Sequence, residues 1–161
     1  DCTHGGVDWT ASRVKVTIEP ASAETFAAMA VWRYEAPYDF YDGDQEPVLN
    51  PERYFAALGD DGTLVGFFYF EEKGGVLEIG LGLRPDLTGR GLGGEFFRRG
   101  LDFARANYQP TQIVLNVAAF NERAIRLYER TGFQASGRHI RTFARWGEVE
   151  FVEMEEGSGP G

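Results

Sequence analysis

Glycines stand at positions 89, 91, 93 and 94 of the stretch RPDLTGRGLGGEFF, directly before residues of helical pattern. A backbone without side chains can approach a ligand closely, and a helix start leaves main-chain N–H groups unpaired with a partial positive charge. Together they suit anion binding, a diphosphate above all. Arg84, Arg90, Arg98, Arg99 and Arg105 face Asp86, Glu95 and Asp102, so residues 84–105 are net +2 in a chain of net charge −9. Two familiar phosphate loops do not fit. A nucleotide-hydrolase loop closes with Gly-Lys-Ser/Thr, where this chain has Gly93-Gly94-Glu95. Gly89-x-Gly91-x-x-Gly94 matches the dinucleotide fingerprint in form, but it follows a hairpin late in the chain rather than an opening βαβ unit. A turn that serves only packing is the plain alternative.

Other chemistry-bearing residues surround this segment in sequence. Glu78 lies on the strand leading to the loop and shares a face with Gly80 and Gly82 by period-two alternation. It is the candidate base, with the glycines leaving room for an amine or a relaying water; a solvent-facing strand acid is the alternative. Asn116 in mid-strand is unusual, because asparagine is a poor strand former. It lines an opening or faces solvent. Residues 32–54 carry Trp32, Tyr34, Tyr38, Phe40, Tyr41 and Tyr54 among Glu35, Asp39, Asp42, Asp44 and Glu46. Aromatic faces with carboxylates favour a cationic amine, although the same segment reads equally as a solvated acidic loop with aromatics on the core.

Composition removes several function classes. One cysteine, Cys2, allows no internal disulfide; His4 and His139 alone build no zinc cluster of usual spacing and leave a Ser-His-Asp arrangement little to draw on. Net acidity argues against broad nucleic-acid binding. No apolar run approaches the roughly 20 residues of a membrane span. The N-terminal DCTHGGVDWTAS lacks the basic and apolar parts of a secretory signal, so a cytoplasmic location is expected.

The elements that must position these residues read as one mixed α/β domain. Residues 1–12 are expected to be a flexible leader, 13–156 the domain and 157–161 a flexible tail. RVKVTIE reads as a strand, and ASAETFAAMAVWRY as a helix capped by Ser22. NPERYFAAL reads as a short helix, with Asn50 as cap and Pro51 at the first position. TLVGFFYFEE and VLEIGLGLRP are strands around the KGG turn. A helix from Gly93 to Asn107 follows, with Phe97, Gly100, Leu101 and Ala104 on one stripe. TQIVLNVAAF is a strand. Asn121 caps a helix ended by Gly132, and two further strands flank Gly147.

The segment Thr88-Gly89-Arg90-Gly91-Leu92-Gly93, followed by Gly94, resembles the Arg/Gln-x-x-Gly-x-Gly/Ala loop of the GCN5-related N-acetyltransferase (GNAT) family, with Thr88 in place of Arg or Gln. Asn121, Ala124, Tyr128, Gly132 and Phe133 are similar to that family's later Asn-x-x-Ala-x-x-x-Tyr-x-x-x-Gly-Phe pattern, and Leu83-Arg84-Pro85 to its strand ending. The resemblance covers about residues 14–155. It implies a mixed, mostly antiparallel sheet of about six or seven strands with about four helices. It also implies transfer of an acetyl group from acetyl-coenzyme A to a primary amine, by direct attack in a ternary complex, with no metal.

On that resemblance the backbone of residues 89–94, Leu92 included, would hold the pyrophosphate. Leu81 and Leu83 would pair with the pantetheine arm in a gap between two strands. Arg90 would make up for the shortened Thr88, and Asn121 would hydrogen-bond the pantetheine or its carrier strand as well as capping its helix. Tyr128 would be the proton donor to the leaving thiolate; its helical stripe with Ala124, Leu127 and Thr131 is otherwise a core pattern. Trp32, Tyr34, Tyr38, Tyr41 and Asn116 would bind the acceptor, expected to be a polyamine-like or amino-sugar molecule or a protein N-terminus. A sensor that binds acetyl-coenzyme A without turnover and an interaction domain stay as alternatives. Oligomeric state is open, a homodimer included.

Overall fold

The computed structural model describes residues 16–43, 48 and 50–157. The expected leader and most of the expected tail lie outside them. Strand β1 (Thr17–Pro20) is followed by helix α1 (Ala23–Ala30), whose N-cap Ser22 forms a capping box with Thr25. The helix stops at Ala30, short of Trp32.

NPERYFAAL does not form the expected helix. Asn50 takes a left-handed conformation (φ 58°) without a side-chain cap, and Pro51–Arg53 make a single 3-10 turn. Tyr54–Leu58 then run as β2, bonded between β1 and β3. Tertiary pairing outweighs the proline signal: Tyr54 stacks edge-on to Tyr69 at 5.1 Å and Phe55 to Phe70 at 5.5 Å, contacts a helix there would forfeit.

The remaining elements follow the sequence pattern: β3 (Leu64–Lys73), β4 (Val76–Leu83), α2 (Gly93–Tyr108), β5 (Gln112–Ala118), α3 (Glu122–Arg130), β6 (Phe133–Phe143) and β7 (Gly147–Glu156). They give one seven-stranded sheet in the order β1-β2-β3-β4-β5-β7-β6, with three α-helices among the described residues rather than about four. The core lies where α2 packs its Phe96, Phe97, Leu101 and Ala104 against Phe68, Leu77, Ile79, Ile113 and Met154 of the sheet. Complete burial of these side chains is the main stabilising term, about 1.5–3 kcal/mol for each large one.

One feature of the sheet positions the site. β4 and β5 are its parallel neighbours, and their ladder has only three rungs, Val76–Gln112, Leu77–Ile113 and Glu78–Val114. Beyond Glu78, β4 stays with β3 up to Leu83, while β5 stays with β7 up to Ala118. The strands separate into a V. The Arg84 N–H donates to Val65 O at 2.8 Å, which fixes the alternation of the β3–β4 ladder. By that alternation the main-chain N–H and C=O groups of Leu81 and Leu83 point away from β3, into the opening.

Candidate active site

A cleft of about 730 Å³ occupies this opening, lined from the β4 side by Glu78 to Leu83, from β5 by Leu115, Asn116 and Val117, and from α3 by Tyr128. At the point of the V, Asn116 Nδ2 donates to Glu78 Oε2 at 3.0 Å, a bridge across the diverging strands. Asn116 therefore lines the opening rather than facing solvent. Its Oδ1 is buried and has no partner. A buried carbonyl oxygen without a donor is costly, and a donor group in the cleft would relieve it. Glu78 has no ion pair among the described residues, so this carboxylate stays available to a cation in the cleft.

The room expected beside Gly80 and Gly82 is taken. A Cβ on Gly82 would lie 2.4 Å from the Phe67 ring, and one on Gly80 would lie 3.4 Å from Tyr69 Cβ. The glycines admit aromatic side chains of β3, and these form a cleft wall with Tyr54. Glu71 on the same wall is held by Arg53 at 3.2 Å and Lys73 at 3.4 Å, and accepts from the Tyr69 hydroxyl at 2.8 Å. The sequence reading missed Phe67, Tyr69 and Glu71, although alternation along β3 places them across from Gly82, Gly80 and Glu78.

Tyr128 sits on the inner face of α3, 8% exposed, with its ring edge-on to Phe97 at 4.9 Å. It packs on the core and also lines the cleft. Burial, and secondarily Tyr41, push its hydroxyl well above the ordinary tyrosine value. It keeps its proton at neutral pH.

The aromatic segment divides. Tyr34, Tyr38 and Tyr41 line the cleft. Trp32 is not among its lining residues and tilts against Phe67 at 6.5 Å. Tyr34 donates to Leu83 O at 2.7 Å, so one of the main-chain acceptors expected for pantetheine already has a partner, while Leu81 keeps its groups. Burial, then Asp42, raise the Tyr34 hydroxyl. Asn121 Oδ1 accepts from Ala124 N at 3.2 Å as the cap of α3, and its Nδ2 donates to the Tyr41 hydroxyl at 3.2 Å. Its described bonds thus tie the helix to the aromatic segment. Phe40 anchors that segment in a cluster with Ala118 and Phe151. Of the loop acids, Asp42 accepts from Tyr34 N; Glu35, Asp39 and Asp42 do not line the cleft, and Asp44 and Glu46 lie outside the described residues.

At the other end, the glycine loop follows a turn in which the Thr88 hydroxyl donates to Pro85 O at 2.7 Å. Thr88 thus braces the turn, with its N–H also bonded to Pro85 O. From there to Phe96, whose N–H donates to Leu92 O, no backbone N–H of residues 89–95 finds an acceptor among the described residues. Gly89 and Gly91 take positive φ values of 74° and 76°, which only glycine adopts without strain. The Leu92 side chain is buried in the core, so only its backbone faces the loop. Gly93 and Gly94 let Leu127 of α3 pack against the start of α2, at 3.3 and 3.5 Å from where their Cβ atoms would be. Arg90 is exposed. Free amides at a 16-residue helix's positive end fit a diphosphate, and the open β4 edge fits an amide-bearing arm. Among the described residues no group of His, Cys, Asp and Glu is arranged to hold a metal, and no helix is long and apolar enough to cross a membrane.

Comparison with known proteins agrees with this geometry. Residues 20–133 match the model of the acetyltransferase (GNAT) family. The chain is 36% identical over 97 residues to a mycothiol acetyltransferase of Clavibacter michiganensis, a stretch covering 60% of this chain but 31% of that protein. It thus spans less than a third of the length of that relative. It is 29% identical over 118 residues to the N-alpha-acetyltransferase RimI of Mycobacterium tuberculosis, covering 70% of this chain and 72% of the other. With the spermidine N(1)-acetyltransferase of Vibrio cholerae it shares 28% over 133 residues, 78% of this chain and 76% of that one. A solved Vibrio cholerae spermidine N-acetyltransferase in complex with CoA and spermine has the same fold, with a TM-score of 0.64 at 20% identity over 87% of this chain and 94% of the other.

Proposed function

This chain belongs to the acetyltransferase (GNAT) family, and on that premise we propose that it transfers the acetyl group of acetyl-coenzyme A to a primary, cationic amine by direct attack in a ternary complex. The observation that carries the reading is the pairing of a V-shaped opening with a loop of unpartnered amides at one end and a neutral, buried tyrosine facing into it. The donor, when bound, supplies an activated acyl carbon with a thiolate as leaving group. The loop amides of residues 89–95 hold its phosphates, and the outward main-chain groups of Leu81 orient its arm. Tyr128 gives its proton to the departing sulfur. Glu78, held by Asn116, takes the proton that the attacking amine loses, directly or through water. A cationic acceptor loses two protons from nitrogen, one before attack to free the lone pair and one as the amide forms. Both pass to Glu78 or water; one of them restores Tyr128 after it has protonated the sulfur, and the other leaves to solvent.

A cationic acceptor follows from the lining of the other wall. Tyr34, Tyr54 and Tyr69 present aromatic faces or hydroxyls, and Glu78 offers a carboxylate without a cation. Relatives named for spermidine and for N-alpha-acetylation accord with such an acceptor. The test is release of free coenzyme A thiol against a panel of polyamines, amino sugars, peptide N-termini and neutral amines. Turnover with cationic amines is expected. No turnover with any amine, alongside measurable binding of acetyl-coenzyme A, would leave a sensor; faster turnover with neutral or anionic amines would remove the charge argument.

A further inference from the structure

Arg123 was not singled out by its sequence, yet it lines the cleft from the first turn of α3. Its guanidinium lies over the Tyr38 ring, 4.3 Å from the centroid. Among the described residues that ring is its partner; no carboxylate pairs with it. Its place in the helix is electrostatically unfavourable. A cation in the first turn opposes the helix dipole, by about 0.3–1 kcal/mol. Glu122 beside it does not neutralise it, being paired to Arg126 at 3.0 Å. The position makes sense if an anion comes to rest nearby, and the glycine loop is the neighbouring element. A Cβ built on Gly89 would lie 3.9 Å from Arg123 Nη1. The Thr88 hydroxyl meanwhile bonds Pro85 O and gives the loop no cationic contact.

We propose that Arg123 is the side-chain cation for the donor's phosphates, held ready by the face of Tyr38, and that Tyr38 therefore serves the donor rather than the acceptor. This rests on the acetyl-coenzyme A reading above. A planar guanidinium can stack on an aromatic ring and present its N–H edge to phosphate oxygens at the same time. The Tyr38 ring fixes the side chain beforehand and lowers the ordering cost of binding. Tyr38 is thus a positioning residue, acting through Arg123.

The test measures binding of coenzyme A by calorimetry at low and high salt, and compares kcat/KM for acetyl-coenzyme A with that for S-acetylpantetheine, a donor without phosphates. In Arg123→Ala, coenzyme A affinity is expected to fall about tenfold at low salt and less at high salt, where the parent is itself screened. The ratio of the two kcat/KM values should fall by the same factor. Arg123→Lys should recover part of the loss, Tyr38→Phe nearly all affinity, and Tyr38→Ala should lie between; thermal melts of each variant check folding. Equal loss with both donors, or a coenzyme A affinity indifferent to Arg123, overturns the assignment while leaving the donor site standing. A Tyr38→Ala variant that raises KM for the amine alone returns Tyr38 to the acceptor. Failure of the parent protein to bind coenzyme A would remove the donor site and this inference with it.

Discussion

Along the glycine loop the main chain offers the binding groups, and the N–H groups of residues 89–95 have no acceptor among the described residues. Along the point of the V and the aromatic wall they are side chains that already have partners: Asn116 bonds Glu78, Arg53 and Lys73 pair with Glu71, Asn121 bonds Tyr41, and Tyr34 donates to the main-chain O of Leu83. A main-chain cradle depends on backbone shape and tolerates many neighbours. A network of side chains sets selectivity, and each member answers for the others' positions. Substitutions at the first should change donor affinity with little regard to the amine; substitutions at the second should change rate and amine preference.

The largest effect is expected from Tyr128→Phe, which keeps the ring against Phe97 and removes the proton. We expect kcat to fall about 10³-fold with both KM values near those of the parent. A variant retaining full turnover would make Tyr128 a core residue only. Next comes Glu78→Gln, expected to lower kcat/KM about 10²-fold and to change the pH–rate profile. A profile of unchanged shape would leave Glu78 with a structural part. Gly91→Val sharpens the contrast from the other side. A Cβ there meets nothing within 4 Å, so the damage comes from the positive φ of 76°. The strain, about 1–3 kcal/mol, should cost roughly 10- to 100-fold in coenzyme A affinity while amine selectivity stays that of the parent.

The smallest effect concerns stability. Tyr128 is protonated in the fold at pH values where the unfolded chain has released that proton, since burial raises it above the ordinary value of about 10. The folded state then binds more protons, so this contribution is complete below about pH 10 and is lost as pH rises through the folded value. Urea midpoints measured from pH 9 to 11 should decline, with Tyr128 contributing up to about 1.4 kcal/mol per pH unit, and Tyr128→Phe should decline less steeply. Equal slopes would show that the hydroxyl is exposed in solution.

The same contrast explains what could be read beforehand. The glycine loop was legible because a backbone site must be written in glycines, and the strand before it because its alternation survives in Leu77, Ile79 and Leu81. The opening between β4 and β5 was expected from resemblance, and the three-rung ladder bears it out. The wall of Phe67, Tyr69 and Glu71 was hidden in a strongly apolar strand, where residues of both faces look alike until pairing assigns them. Pro51 misled because a proline that opens a helix opens a 3-10 turn equally well, and only the Tyr54–Tyr69 pairing decides between them. Arg123 was invisible in one dimension: nothing in its sequence spacing announces that α3 will swing it over Tyr38 and beside Gly89.

The short ladder between β4 and β5 has a mechanical consequence. Two blades, β1–β4 and β5–β7–β6, are stitched at one end and gape at the other, so an extended molecule laid between them acts as a missing thread. The amide proton of Leu81 should then exchange slowly only when the seam is closed by such a thread. The protein would stiffen along a line that no part of its own chain reinforces.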